Sequence, residues 1–257
     1  TVGEVDKLTG PILGRPKSAT FRTCDVVGLD TLIKVATGGK SNCPDDEANT
    51  QFAIPGYISE MEKKSWLGSK SKQGFYKKGK DENGKKTILE LNLKTLEYGP
   101  KSIIKSPTLE LAKAEDNLAR RMQILVSGKD TAGEFYRRIF SNLFSYVANR
   151  VPEISDELYN IDQGMKAGFG WKLGPFETWD AVGVKNAVAL MQKSSINPAS
   201  WVLEMLEAGN ESFYKIENGV KQYYDILSKT YKAIPGTEQF ITLDNLCLLY
   251  TSDAADE

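Results

Sequence analysis

The chain has 257 residues, with 33 basic and 34 acidic side chains and a formal charge of −1. A composition of 40% hydrophobic and 26% charged residues is that of an ordinary globular protein, and the balanced charge leaves no overall electrostatic footprint for nucleic acid. There is no histidine, which excludes an imidazole general base, a Ser-His-Asp triad and an HExxH metal site.

Three cysteines, Cys24, Cys43 and Cys247, lie far apart without a C-x-x-C pair, so neither a disulfide framework nor a zinc site is expected. No apolar run is long enough to span a membrane and no signal-type leader is read at the start, so a cytoplasmic location is expected. Val2, Val5 and Leu8 predict a short helix. The sequence enters it without an initiator Met, as an internal piece of something longer would.

A turn is expected at Gly10-Pro11, and Phe21–Ala36 then carries Phe21, Val26, Leu29, Ile33 and Ala36 on a helical period. Gly38-Gly39 is expected to stop that helix. Residues 40–56 read as a loop, and Tyr57–Trp66 as a short helix ending at Gly68. Asn83-Gly84 predicts a tight hairpin turn between β-favouring segments on either side. The ribbon carries seven lysines from Lys70 to Lys86, suited to binding phosphate or simply to forming a solvated face.

From Thr108 long helices are expected. Leu109, Leu111, Ala112, Leu118, Met122 and Leu125 form one apolar stripe ending at Gly128. Thr131, with Glu134 three residues on, has capping-box spacing ahead of Phe135, Ile139, Leu143, Phe144 and Val147. Further helices are read at Ser155–Gly164, 184–193 and 198–208. A second hairpin is expected at Phe213–Val220, turning at Asn218-Gly219, and a last helical piece at Tyr223–Lys229. No βαβ alternation is present, which argues against a parallel sheet.

Phe21-Arg-Thr-Cys-Asp25-Val-Val-Gly28 has a counterpart in Phe176-Glu-Thr-Trp-Asp180-Ala-Val-Gly183, and upstream Val5-Asp6 matches Ile161-Asp162 with one residue inserted. The fold class expected is therefore mainly α, with two related helical units and one or two small β-hairpins. Asp25 and Asp180 stand in equivalent places, where an aspartate tying down the turn that opens its helix is expected rather than a catalytic group. Gly168-Phe-Gly170 is followed by Gly174, out of step with G-x-G-x-x-G, and suits a sharp bend between helices better than a nucleotide loop. Arg15, Lys17 and Arg22 form a small basic group open to an anionic ligand or to packing against a neighbouring domain. Asn149-Arg150, ahead of Pro152, offers either a ligand-facing amide or a helix C-cap.

The stretches Asp6-Lys-Leu-Thr-Gly-Pro-Ile-Leu-Gly14-Arg-Pro-Lys-Ser-Ala-Thr-Phe21, Asp25-Val-Val-Gly-Leu-Asp30 and Trp66-Leu-Gly-Ser-Lys-Ser-Lys-Gln-Gly-Phe-Tyr76 resemble the helical C-terminal domain of 3-hydroxyacyl-CoA dehydrogenases. Asp162–Gly183 resembles a second copy. The resemblance implies a 6-phosphogluconate dehydrogenase C-terminal-like fold, with a first repeat over residues 1–100 and a second over 101–232. Residues 233–246 are expected to form a linker toward an enoyl-CoA hydratase domain. Residues 247–257 resemble read-through of a sequencing adapter.

The resemblance further implies an oxidoreductase of fatty-acid β-oxidation, turning a 3-hydroxyacyl-CoA into a 3-oxoacyl-CoA. NAD and a catalytic His–Glu pair would belong to an N-terminal NAD-binding domain. No catalytic, cofactor-binding or metal residue is assigned to this chain, which is expected to be inactive alone and to serve cleft closure and domain packing. The family's substrate-facing Asn belongs to the first helical copy, whereas Asn149-Arg150 matches its motif in the second. The alternative is a non-catalytic helical interaction module.

Overall fold

A computed structural model describes residues 1–237; Cys247, the 247–257 tail and most of the 233–246 linker lie outside them. The chain divides into two compact units, Thr1–Ser106 and one beginning at Pro107. The described residues are mainly helical, with two small antiparallel sheets.

The first unit opens with α1 (Val2–Thr9), capped by a reciprocal Thr1–Glu4 capping box. Next come α2 (Phe21–Val27), α3 (Leu29–Asn42) and α4 (Gly56–Lys63). The single helix expected over Phe21–Ala36 is thus two. Gly28, at φ +99°, breaks it in a backbone conformation open to glycine and strained for other residues. Gly38-Gly39 does not end α3. Helical glycine costs only about 1 kcal/mol, and at Gly39 a Cβ would stand 3.3 Å from the Phe52 ring, so the missing side chain admits that contact. Residues 40–56 contain one 3-10 turn, Asn49–Phe52.

β1 (Tyr76–Lys80) and β2 (Lys86–Leu91) form the Asn83-Gly84 hairpin, and β3 (Tyr98–Pro100) adds a third strand. Val2, Leu29, Ile58, Met61, Phe75, Tyr76 and Leu91 meet in one core, joining α1, α3, α4 and the sheet.

The second unit holds α5 (Pro107–Ala114), α6 (Leu118–Ser127), α7 (Thr131–Asn149), α8 (Leu158–Phe169), α9 (Pro175–Val182), α10 (Val184–Lys193) and α11 (Ser200–Glu207). Asn117 caps α6 by accepting from the Arg120 N–H, so the 109–125 stripe is split in two and Leu111 faces solvent. Asp130, not Thr131, caps α7: its carboxylate takes the Gly133 N–H at 3.0 Å and the Thr108 hydroxyl at 2.7 Å. The helix expected at Ser155–Gly164 starts at Leu158 and runs to Phe169, because Ser155 is spent in a local turn with Glu157.

The helical piece expected at Tyr223–Lys229 is a correction of kind. Tyr223 and Tyr224 lie in β5 (Val220–Asp225), between β4 (Tyr214–Glu217) and β6 (Thr230–Ala233), and the chain turns at Lys229 with φ +53°. Hydrogen bonds on both edges outweigh a weak local helical preference. The core of this unit is aromatic. Phe144 stacks on Trp179 at 4.8 Å, and Trp179 and Phe176 each meet Phe213 edge-on at 5.0 Å.

Candidate functional site

The two units place four aspartates and two tyrosines in the same two-carboxylate arrangement. In the first, Asp6 on α1 reaches the start of α2. It accepts from the backbone N–H groups of Thr20 at 3.1 Å, Phe21 at 2.6 Å and Arg22 at 3.0 Å, and from the Tyr76 hydroxyl at 2.8 Å. Asp25, buried within α2, accepts from Phe75 N–H at 2.8 Å and Tyr76 N–H at 2.9 Å. The second unit repeats this. Asp162 on α8 accepts from Phe176 and Glu177 N–H at 2.8 and 2.9 Å and from the Tyr214 hydroxyl at 2.9 Å. Asp180 accepts from Phe213 and Tyr214 N–H at 2.7 and 2.9 Å.

Each node has a physical purpose. The first N–H groups of a helix have no partner within it, and Asp6 and Asp162 supply one from another helix. Asp25 and Asp180 do the same for the backbone entering a sheet. The expected role for them, tying down the turn that opens their own helix, is therefore corrected: they sit inside α2 and α9 and clamp helix to sheet. The aromatic before each tyrosine completes the joint, Phe21 against Phe75 at 4.6 Å and Phe176 against Phe213 at 5.0 Å.

Chemically the nodes are acceptors already filled. Burial, followed by the adjacent Asp6 carboxylate, pushes the Tyr76 hydroxyl above its ordinary range; burial and Asp162 do the same to Tyr214. Neither phenol is poised to give up a proton. Burial is the largest influence on the second-unit carboxylates and outweighs their hydrogen bonds, raising Asp162 to about 6 and Asp180 to about 7. Glu177 differs: burial would raise it, but Lys221 at 2.7 Å and Lys166 at 3.0 Å hold it below its usual value.

A stability consequence follows from these directions. A carboxyl whose folded pKa lies above its unfolded value binds protons more tightly in the native state. Its contribution is complete below the unfolded value near 3.8 and is lost as pH rises through about 6 to 7. We expect denaturant unfolding to show a contribution from Asp162 and Asp180 that declines between about pH 4 and 7, and Asp180→Asn to flatten that slope. An unchanged slope in the variant would contradict the assignment.

The remaining candidates fall elsewhere. Arg22 directs its guanidinium to within 3.9 Å of Asp25, Lys17 is exposed and Arg15 is half-buried. Asn149, exposed, is the last residue of α7; Arg150 follows as its C-cap, paired with Glu153 at 3.0 Å and lying over the Tyr146 ring. Gly168 is inside α8 and Gly170 ends that helix in a left-handed conformation. Burial pushes the Cys24 thiol up to about 11, away from nucleophilic reactivity. Among the described residues no group of three His, Cys, Asp or Glu side chains could hold a metal ion.

Sequence reasoning found the repeat aspartates but missed Tyr76 and Tyr214 as their partners. The available signal was the Phe-Tyr pair, Phe75-Tyr76 and Phe213-Tyr214, whose tyrosine opens the first strand of each sheet.

Comparison with known proteins identifies the scaffold. Residues 1–78 and 133–222 match the family described as 3-hydroxyacyl-CoA dehydrogenase, C-terminal domain. The chain is 46% identical over 245 residues to a probable 3-hydroxyacyl-CoA dehydrogenase of Bacillus subtilis, covering 95% of this chain and 30% of that protein. It is 49% identical over 85 residues to a probable 3-hydroxyacyl-CoA dehydrogenase of Deinococcus radiodurans, covering 33% of this chain and 24% of that protein. A putative fatty acid oxidation complex trifunctional enzyme of Rickettsia felis is 28% identical over 192 residues, 71% of this chain and 25% of that protein. The chain thus belongs to the 3-hydroxyacyl-CoA dehydrogenase C-terminal domain family, and it spans less than a third of the length of these relatives.

Proposed function

We propose that the chain is the helical C-terminal portion of an NAD-dependent 3-hydroxyacyl-CoA dehydrogenase, supplying closure of the substrate cleft and domain packing, and inactive alone. The observation that carries this reading is the family match over a duplicated scaffold whose buried carboxylates are consumed by structural hydrogen bonds. Oxidising a 3-hydroxyacyl-CoA needs a base for the 3-hydroxyl proton and a hydride acceptor at C3. The sequence has no histidine, and the node aspartates are occupied by backbone N–H groups.

The residues present do not fit NAD either. Every strand pairing among the described residues is antiparallel, and the Gly168–Gly174 segment follows a helix rather than a strand. In this reading both needs are met by the N-terminal NAD-binding domain with a His–Glu pair that the family resemblance implies. In the same reading the chain has a first repeat over residues 1–100, a second over 101–232 and a linker over 233–246 toward an enoyl-CoA hydratase domain, ends in an adapter-derived tail over 247–257, and belongs to a parent enzyme that acts on acyl-CoA in the cytoplasm. The trifunctional relatives support a multidomain setting. No helix among the described residues is long and apolar enough to cross a membrane.

The expected result is no NADH formation, read at 340 nm, from this chain with a 3-hydroxyacyl-CoA and saturating NAD. A separately produced NAD-binding domain of the family should gain turnover when this chain is added. Turnover by the chain alone, abolished by a substitution within it, would overturn the proposal. Failure to raise the partner domain's turnover would favour a helical interaction module instead.

A further inference from the structure

The duplication makes one hairpin a control for the other. In the first unit, alternate residues of β1 and β2 point to opposite faces. Tyr76, Lys78 and Lys80 therefore share a face with their cross-strand partners Glu90, Ile88 and Lys86. Tyr76 and Glu90 are buried at the inner end of that face, where the Glu90 carboxylate accepts from the Gly3 N–H at 2.9 Å. Outward from them the face opens: Lys78, Lys80 and Lys86 are exposed, and Ile88 among them is 46% exposed. Lys85 stands beside them in the turn, and every residue from Lys80 to Lys86 is exposed. Among the described residues no ion pair takes up Lys78, Lys80, Lys85 or Lys86. The nearby Asp81 is spent on the turn itself, accepting from the Asn83 and Lys85 N–H groups at 3.0 and 2.9 Å.

The second hairpin sets Ile216 across from Lys221, the same two residue types with the strands exchanged. There the charge is neutralised within the unit. Lys221 reaches Glu177 on α9 at 2.7 Å, and Lys215 reaches Glu217 at 3.0 Å. The counterpart of Glu177 in the repeat is Arg22, so the first unit has a cation where the second has its carboxylate. Between the equivalent pairs Gly79·Thr87 and Glu217·Val220, the first hairpin carries Lys80–Lys86 where the second has only Asn218-Gly219. The added length is what brings Lys80, Lys85 and Lys86.

We infer that the outer face of the β1–β2 hairpin is a contact for an anionic phospholipid surface. The lysines are spread over a flat strand face, whereas a small anion is held by polar groups converging in a concave site. The hairpin has no arginine for bidentate phosphate recognition, and its two aromatic side chains, Phe75 and Tyr76, are buried and cannot stack a base. A bilayer surface asks only for a cluster of ammonium groups facing the headgroup phosphates, with an aliphatic side chain among them to enter the boundary with the acyl chains. The inference stands on the hairpin and is independent of the proposed dehydrogenase role.

The test is co-sedimentation of the chain, in low salt, with vesicles of equal parts phosphatidylglycerol and phosphatidylcholine, against vesicles of phosphatidylcholine alone. The chain should bind the first and not the second, and about 0.5 M NaCl should release it, because screening then acts within about 5 Å. Lys78→Glu, Lys80→Glu and Lys86→Glu together should weaken binding by about a hundredfold or more. Lys172→Glu, Lys185→Glu and Lys193→Glu together, an equal change of charge at exposed positions of the second unit, should weaken it by less than about threefold. Ile88→Ser should weaken it by about threefold to tenfold. If the hairpin variant does not accumulate, amide hydrogen exchange of the original chain takes its place: anionic vesicles should slow residues 77–88 and leave residues 214–222 unchanged. No binding to anionic vesicles in low salt, or a hairpin variant that binds as well as the second-unit control, would overturn the inference. So would tighter binding to duplex DNA or to polyglutamate than to the vesicles, since the partner would then be a nucleic acid or an acidic protein segment.

Discussion

Gly174→Ala should destabilise the second unit by about 3 kcal/mol or more. A Cβ at Gly174 would stand 2.3 Å from Cγ, 2.4 Å from Cβ and 2.5 Å from Cα of Asp162. The last is backbone, so no rotamer change relieves the overlap, and α8 must move away from α9. That movement also pulls the Asp162 carboxylate off the Phe176 and Glu177 N–H groups. Gly164 on the exposed side of α8 is the control, because a Cβ there meets nothing within 4 Å. Gly164→Ala should stabilise by about 0.5–1 kcal/mol through helix propensity. Thermal unfolding of the two variants checks both signs. Equal, small effects would mean that α8 and α9 do not approach this closely.

Asp162→Ala should cost a comparable amount, about 3 kcal/mol or more, by a different route. It strands the Phe176 and Glu177 N–H groups and the Tyr214 hydroxyl, and an unpaired buried donor costs about 1–3 kcal/mol. Tyr214→Phe removes one donor with its ring retained and should cost about 1 kcal/mol alone. Once Asp162 is alanine, the same tyrosine change should cost nothing or restore some stability, because the hydroxyl it deletes has lost its acceptor. Additive effects of the two substitutions in denaturant unfolding would contradict the hydrogen bond between them.

Much of this architecture is legible in the sequence where the signal is local. The helical character, the Asn-Gly hairpins and the shared Phe, Asp and Gly positions of the two copies all rest on short-range patterns. Gly28 and Gly183 recur because both copies need a positive φ between paired helices.

What was not legible depends on distant partners. Asp25 binds backbone 50 residues away and Asp180 only 33, so the tyrosines fall at a different offset from the aspartates and escape a search at constant spacing. The strand at Tyr223 was hidden for the same reason. Val220–Asp225 has no turn signal within it, and only pairing with β4 and β6 decides its state. β3 is three residues ending in proline, too short to announce itself. Among the candidate ligand contacts, Arg22 and Arg150 carry partners of their own, which sequence proximity to other basic groups could not reveal.

The central claim is that the paired aspartates hold the scaffold and leave the chemistry to residues outside this chain. Asp180→Asn tests it most directly, introduced into the longer dehydrogenase to which we assign the chain. An amide there presents an NH2 group to one of the two backbone N–H donors from Phe213 and Tyr214. We expect the unfolding midpoint to fall, by an amount corresponding to about 1–3 kcal/mol, while turnover of 3-hydroxyacyl-CoA at a temperature below the transition changes less than about tenfold. An unchanged midpoint together with a loss of turnover of about a thousandfold would contradict the account and place the second copy in the active site.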